Sequence, residues 1–144
     1  MKQELIDKLH KKYPLILVNG PEISVGDGWY GLVDEICKQL TIVYNESGIH
    51  FAAEQIKEKF GGLRFYIDYI ELLNPNRNKR SPFSPRNKKF YIKYVYDIID
   101  KKEMESLAIC EECGGTGTRR QTSGGGGGGW IKTLCTQCES KHKT

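Results

Sequence analysis

Four cysteines in two Cys-x-x-Cys pairs, Cys110-Glu-Glu-Cys113 and Cys135-Thr-Gln-Cys138, have the spacing of a metal site. A two-residue gap turns both sulfurs of a pair toward one ion, and two pairs complete a four-thiolate zinc shell. Sulfurs at about 2.3 Å close the tetrahedron and leave no open position, so such an ion supports a fold and does no chemistry. Gly114, after the first pair, lets backbone amides point at the thiolates. His142 is a rival for the fourth ligand. The redox reading of Cys-x-x-Cys needs a thioredoxin-like βαβ setting, which neither pair has. Cys37 falls on the apolar face of a predicted helix and reads as a small core residue.

A second chemical candidate is EQIKEKFGGLRFYID, residues 54–68. Two alternating runs around Gly61-Gly62 predict a β-hairpin with those glycines as its turn. Phe60 then faces Leu63, Glu58 faces Phe65 and Ile56 faces Ile67 on the apolar side. Lys59 faces Arg64, Lys57 faces Tyr66 and Gln55 faces Asp68 on the polar side. Lys57, Lys59, Arg64 and Tyr66 set cations beside an aromatic ring, which suits a phosphate-bearing ligand with a stackable base. The plainer reading is a solvated charged face. Glu58 places a carboxylate among apolar side chains, where an unpaired charge is costly. Its expected partner is Arg64, Lys132 or the amides of Gly26–Gly28, and a ligand contact is the sharper alternative. A helix over 51–60 would instead leave Glu58 on the surface.

No catalytic set is visible. His10, His50 and His142 are scattered, and no Ser-His-Asp, paired-carboxylate or P-loop arrangement occurs. Trp29, Tyr30 and Trp130 read as core or knuckle packing. Arg119, Arg120 and Lys132 extend the basic surface near the cysteines.

The elements that must position these groups follow from periodicity. Leu5, Ile6 and Leu9 mark a short helix over 2–12. Residues 15–25 read as extended with a turn at Gly20-Pro21. Asp27 is placed to cap a helix whose Trp29, Leu32, Val33, Ile36, Cys37 and Leu40 recur at helical steps. Thr41–Tyr44 suits a short strand, and Phe90 to about Leu107 returns to helical spacing. Six glycines at 124–129 form a flexible loop tip or replace a disordered segment.

The chain has 144 residues and a net charge of +4, with nothing apolar enough to cross a membrane or resemble a secretory leader. A cytoplasmic protein is expected. Residues 74–89, NPNRNKRSPFSPRNKK, hold six basic and no acidic side chains. Removing those six from 22 Lys and Arg leaves 16 against 18 Asp and Glu, so attraction to a polyanion belongs near this loop.

The blocks ISVGDGWYGLVDEIC, QIKEKFGGLRFYI and CEECG…GWIKTLC, in that order, resemble a family of small proteins encoded by bacteriophages and prophages. The resemblance covers about 23–69 and 105–138. It implies a viral accessory protein with a zinc knuckle, acting in the host cytoplasm, and supplies no activity. The basic loop stands out from the family as an insertion, and the glycine run is longer than the family's loop.

Together these readings predict an α+β fold, a small antiparallel sheet with packed helices and a C-terminal zinc ribbon-like module. Residues 1–107 form the main domain, and 108–144 a zinc knuckle packed on it. The expected function is non-enzymatic: binding of nucleic acid or a small signalling nucleotide, with anti-defence as the setting. The alternatives are an interaction module that inhibits a host protein and, more weakly, a hydrolase.

Overall fold

The computed structural model describes residues 1–70, 85–121 and 130–141. The basic stretch is therefore described only from residue 85, and the glycine run and His142 lie outside the described residues.

The chain runs α1 (Gln3–Lys12), β1 (Ile23–Ser24), a 3-10 turn (Asp27–Trp29), α2 (Tyr30–Ser47), β2 (His50–Lys59), β3 (Gly62–Ile70), α3 (Pro85–Ser106), β4 (Thr118–Gln121), β5 (Ile131–Leu134) and α4 (Thr136–Ser140). It is a mixed α+β fold with two small sheets. The first sheet is mixed, not antiparallel throughout: β1 joins β2 in parallel, and β2 joins β3 antiparallel. β4 and β5 form an antiparallel pair.

The core forms where the apolar stripes of the helices meet one face of the first sheet. Leu9, Trp29, Val33, Ile36, Leu40, Ile56, Leu63, Val95 and Ile99 are all buried there. Cys37 is buried among them, and burial pushes its thiol pKa up, as expected of a core residue. Thr41–Tyr44 is helical, because the stripe through Leu40 and Val43 keeps its period until Gly48. Gly48, at φ 75, ends α2 by donating its N–H to the Tyr44 carbonyl. Asp27 does not cap α2; its carboxylate accepts the Lys2 amide at 2.7 Å.

The hairpin forms with a different turn. Phe60 and Gly61, at φ 53 and φ 82, are its two turn residues, and Lys59 pairs with Gly62. A two-residue turn of this kind needs positive φ at both central positions. Each cross-strand partner therefore moves by two residues from the predicted register. Glu58 faces Leu63, Lys57 faces Arg64 and Gln55 faces Tyr66. A shift of two preserves the faces, so Lys57, Lys59, Arg64 and Tyr66 still share the polar side. Gly62 lies in the strand, where an added Cβ would meet Leu107 Cδ2 at 3.2 Å. The outer edge of β3 is covered by α3. The Leu63 amide donates to Ser106 Oγ and the Phe65 amide to Glu103 Oε2, both at 2.9 Å.

Candidate functional site

The structure brings the four cysteines together. Cys110, Cys113, Cys135 and Cys138 place their sulfurs within 4.8 Å of one another. Cys113 Sγ and Cys135 Sγ are 3.7 Å apart, too far for a disulfide. A tetrahedron with a centre about 2.3 Å from each corner has edges of about 3.8 Å, so the cluster has the size of a four-thiolate site. The first pair sits on a turn closed by Gly114, which has φ 80 and donates to the Cys110 carbonyl at 2.9 Å. The second opens α4, where the Cys138 amide donates to Cys135 Sγ at 3.3 Å. That amide holds the Cys135 thiol down at about 7. Burial of Cys110 opposes ionisation, yet the amides of Cys113, Cys135 and Glu112 hold its thiol below the ordinary value. Backbone amides thus favour the thiolate at Cys110 and Cys135, the form a metal such as zinc requires, whereas contacts with the neighbouring sulfurs push Cys138 up and, against the Gly115 amide, Cys113 as well.

Few apolar groups support this module from within. Its buried cluster is Cys110, Leu134 and Cys138, with Cys135 beside it. Its order depends on docking to the main body, and the GDGW turn is the dock. Gly28 donates its amide to the Glu111 carbonyl at 2.7 Å, and Trp29 Nε1 donates to the Ile109 carbonyl at 2.8 Å. A Cβ on Gly28 would lie 2.1 Å from the Cys110 oxygen, and one on Gly26 would lie 2.3 Å from the Glu111 oxygen. Only glycine permits this backbone-on-backbone approach.

Glu111 lies at the centre of the seam. It is 6 % exposed and accepts the Gly26 amide at 3.0 Å, with Lys132 Nζ at 3.6 Å from its second oxygen. Burial pushes its pKa up, Lys132 and the Gly26 amide oppose this, and Glu58 adds to the rise. The Gly26 amide expected for Glu58 therefore belongs to Glu111. Glu58 is half-buried and accepts the Gly61 amide at 2.7 Å, closing its own turn. The same turn is held from the module side, where Thr133 Oγ1 donates to the Gly61 carbonyl at 2.6 Å.

Beside this seam lies a hollow of about 230 Å³. The hairpin supplies Lys59, Phe60, Gly62 and Arg64 to its wall, and β4 supplies Arg119. Asp100, Glu103, Met104 and Leu107 line the α3 side. Of the predicted surface, Lys59 and Arg64 line this hollow. Lys57 stands opposite Arg64 across the hairpin, and its ammonium lies over the Tyr66 ring at 5.6 Å. The other predicted basic groups divide. Arg120 pairs with Glu139 and donates to the Leu134 carbonyl at 3.1 Å, so it ties the module together. Lys132 serves Glu111. Trp29 is buried and Tyr30 half-buried, but Trp130 is 65 % exposed and is not core.

Glu111, Asp100 and Glu103 were invisible as site residues. The first lies between two cysteines of one pair, and helical spacing alone does not distinguish the two α3 carboxylates. Compared with protein-family models, curated proteins and solved structures, the chain matches none of them.

Proposed function

We propose that this chain is a non-enzymatic binding protein whose cysteine cluster holds zinc in a ribbon-like module and whose hairpin surface takes a phosphate-bearing ligand. One observation carries the second half. Lys57, Lys59, Arg64 and Arg119 gather at one end of the molecule with no carboxylate partner within ion-pair distance among the described residues. Lys57 and Arg64 even face each other directly, a like-charge pairing that weakens a hairpin. An anionic ligand relieves that repulsion. The resemblance to phage-encoded proteins adds a setting, in which the ligand is host nucleic acid or a signalling nucleotide used in defence, and sequestration is the effect.

The test is binding of nucleotides and oligonucleotides at low and moderate salt. Binding should weaken as salt rises. Charge reversal at Lys57, Lys59 and Arg64 together should abolish it. Unchanged binding by the triple variant would remove the hairpin surface from the account. A second reading, docking on a host protein, is favoured by the exposure of Phe60 at 61 % and Met104 at 68 % beside the same cations. Saturable binding to one purified host protein, with no response to any phosphate compound, would select it.

A further inference from the structure

Phe60 is an outlier for which folding gives no reason. It occupies the first turn position at φ 53, a left-handed conformation that strains a bulky side chain and suits asparagine or glycine. Burial does not compensate, since the residue is 61 % exposed. Its ring borders the hollow, and the Lys59 ammonium lies over that ring at 5.7 Å. Strain kept at an exposed aromatic beside unpaired cations points to a ligand.

Asp100 lines the same hollow and has no hydrogen bond or ion pair among the described residues. Its neighbour Glu103 is occupied by the Phe65 amide. A free carboxylate beside a phosphate site repels a bare anion, so it helps binding only when the ligand also brings donors.

We propose that the hollow takes a single nucleoside monophosphate. Arg64, Arg119 and Lys59 hold the phosphate, Phe60 stacks the base, and Asp100 accepts two adjacent donors from the ligand. This rests on the phosphate-ligand reading and names the ligand class. At about 230 Å³ the hollow is smaller than the range of about 300–1,000 Å³ for sites that engulf a drug-sized ligand, so it suits one phosphate and its sugar with the base outside on the exposed Phe60 ring. Charge disfavours a polymer, whose neighbouring phosphates would meet Asp100 and Glu103 along α3. Two parts of a nucleotide offer paired donors to a carboxylate: the N1–H and N2–H of guanine, and the ribose 2′- and 3′-hydroxyls.

The experiment is calorimetric titration of the full chain with GMP, AMP, their 2′-deoxy forms, inorganic phosphate and a thymidine oligomer. At least one monophosphate should bind about tenfold more tightly than phosphate, the gain expected from stacking one base. GMP exceeding AMP would assign the donors to guanine; equal binding with loss in both deoxy forms would assign them to ribose. Phe60→Asn, which suits the turn, should remove most of the nucleotide's gain over phosphate and leave phosphate binding unchanged. Phe60→Leu repeats the test if the first variant does not fold. Asp100→Asn should weaken only the ligand with the donor pair, and Arg119→Ala should weaken nucleotide and phosphate alike. Phosphate binding with no gain from any nucleotide, or binding of the oligomer alone, would overturn the inference and leave the phosphate reading standing. No binding of any probe would overturn both.

Discussion

Gly28→Ala tests the seam most directly. The new methyl group would lie 2.1 Å from the Cys110 oxygen, 2.5 Å from the Gly114 nitrogen and 2.7 Å from the Glu111 carbon, all backbone atoms. No side chain can swing aside, so the cysteine turn must withdraw until contacts reach the ordinary 3.4 Å or more. Withdrawal breaks the Gly28–Glu111 amide bond at 2.7 Å, the Gly26–Glu111 carboxylate bond at 3.0 Å and the Trp29–Ile109 bond at 2.8 Å. At about 1 kcal/mol for each neutral bond and about 2 kcal/mol for the one to a carboxylate, the loss is about 4 kcal/mol. For a chain of this size that lowers Tm by about 10 °C. Gly31→Ala is the internal control. Gly31 is exposed in α2 and an added Cβ meets nothing within 4 Å, so alanine should raise stability by up to about 1 kcal/mol. The assay is urea and thermal unfolding of both variants beside the parent, with the rate of metal release to a colorimetric chelator as a local readout. Gly28→Ala within about 0.5 kcal/mol of the parent, the usual range for a neutral surface change, would show that the two backbones do not approach as described.

Metal removal should act on the same seam. Elemental analysis is expected to find one zinc per chain. A strong chelator, or Cys113→Ser, should lower Tm by several degrees, because the module buries too little apolar surface of its own. Metal well below stoichiometry, with no thermal response to chelator, would reject the centre. Glu103 makes a pH prediction. Its pKa is raised, chiefly by burial, with Asp100 adding and the Phe65 amide and Arg64 opposing. Stability contributed by the protonated form is complete below the ordinary carboxylate range and is lost as pH rises through the raised folded value. Gln retains an acceptor for Phe65 without the charge. The stability of Glu103→Gln relative to the parent should therefore improve between pH 4 and pH 7, as read from chemical denaturation at each pH. A constant difference would show that Glu103 titrates normally.

Much of this fold was legible because it is written in periods and spacings. The α2 stripe from Leu32 to Leu40, the alternation either side of the hairpin and the two cysteine pairs each follow from local geometry. The misreadings have equally local causes. Thr41–Tyr44 is β-branched and aromatic enough for a strand, but the helix it continues already had a buried stripe, and packing overrode propensity. The hairpin turn was misplaced because Gly61-Gly62 is the cheaper turn on backbone grounds, whereas the chain spends a phenylalanine there. Asp27 was free to cap a helix until the Lys2 amide competed for it. Of the seam, the Gly26 amide and Lys132 were legible as partners for a buried carboxylate, but the carboxylate is Glu111 and not Glu58. GDGW looked like a helix start, and Glu111 looked like spacer between two ligands.

The seam matters because it makes the metal centre and the hollow one mechanical unit. The second cysteine pair follows β5 directly; β5 supplies Thr133, which bonds the Gly61 carbonyl, and its partner β4 supplies Arg119 to the hollow. From the other side Glu58 bonds the Gly61 amide, so the strained turn that presents Phe60 is held at both polar groups of its neighbour. A turn with an exposed aromatic at positive φ would otherwise relax, since nothing buries the ring. On this argument an ion held by the four thiolates would do its work at a distance: it would fix β5, β5 the turn, and the turn the ring of Phe60, which a regular strand could not present there.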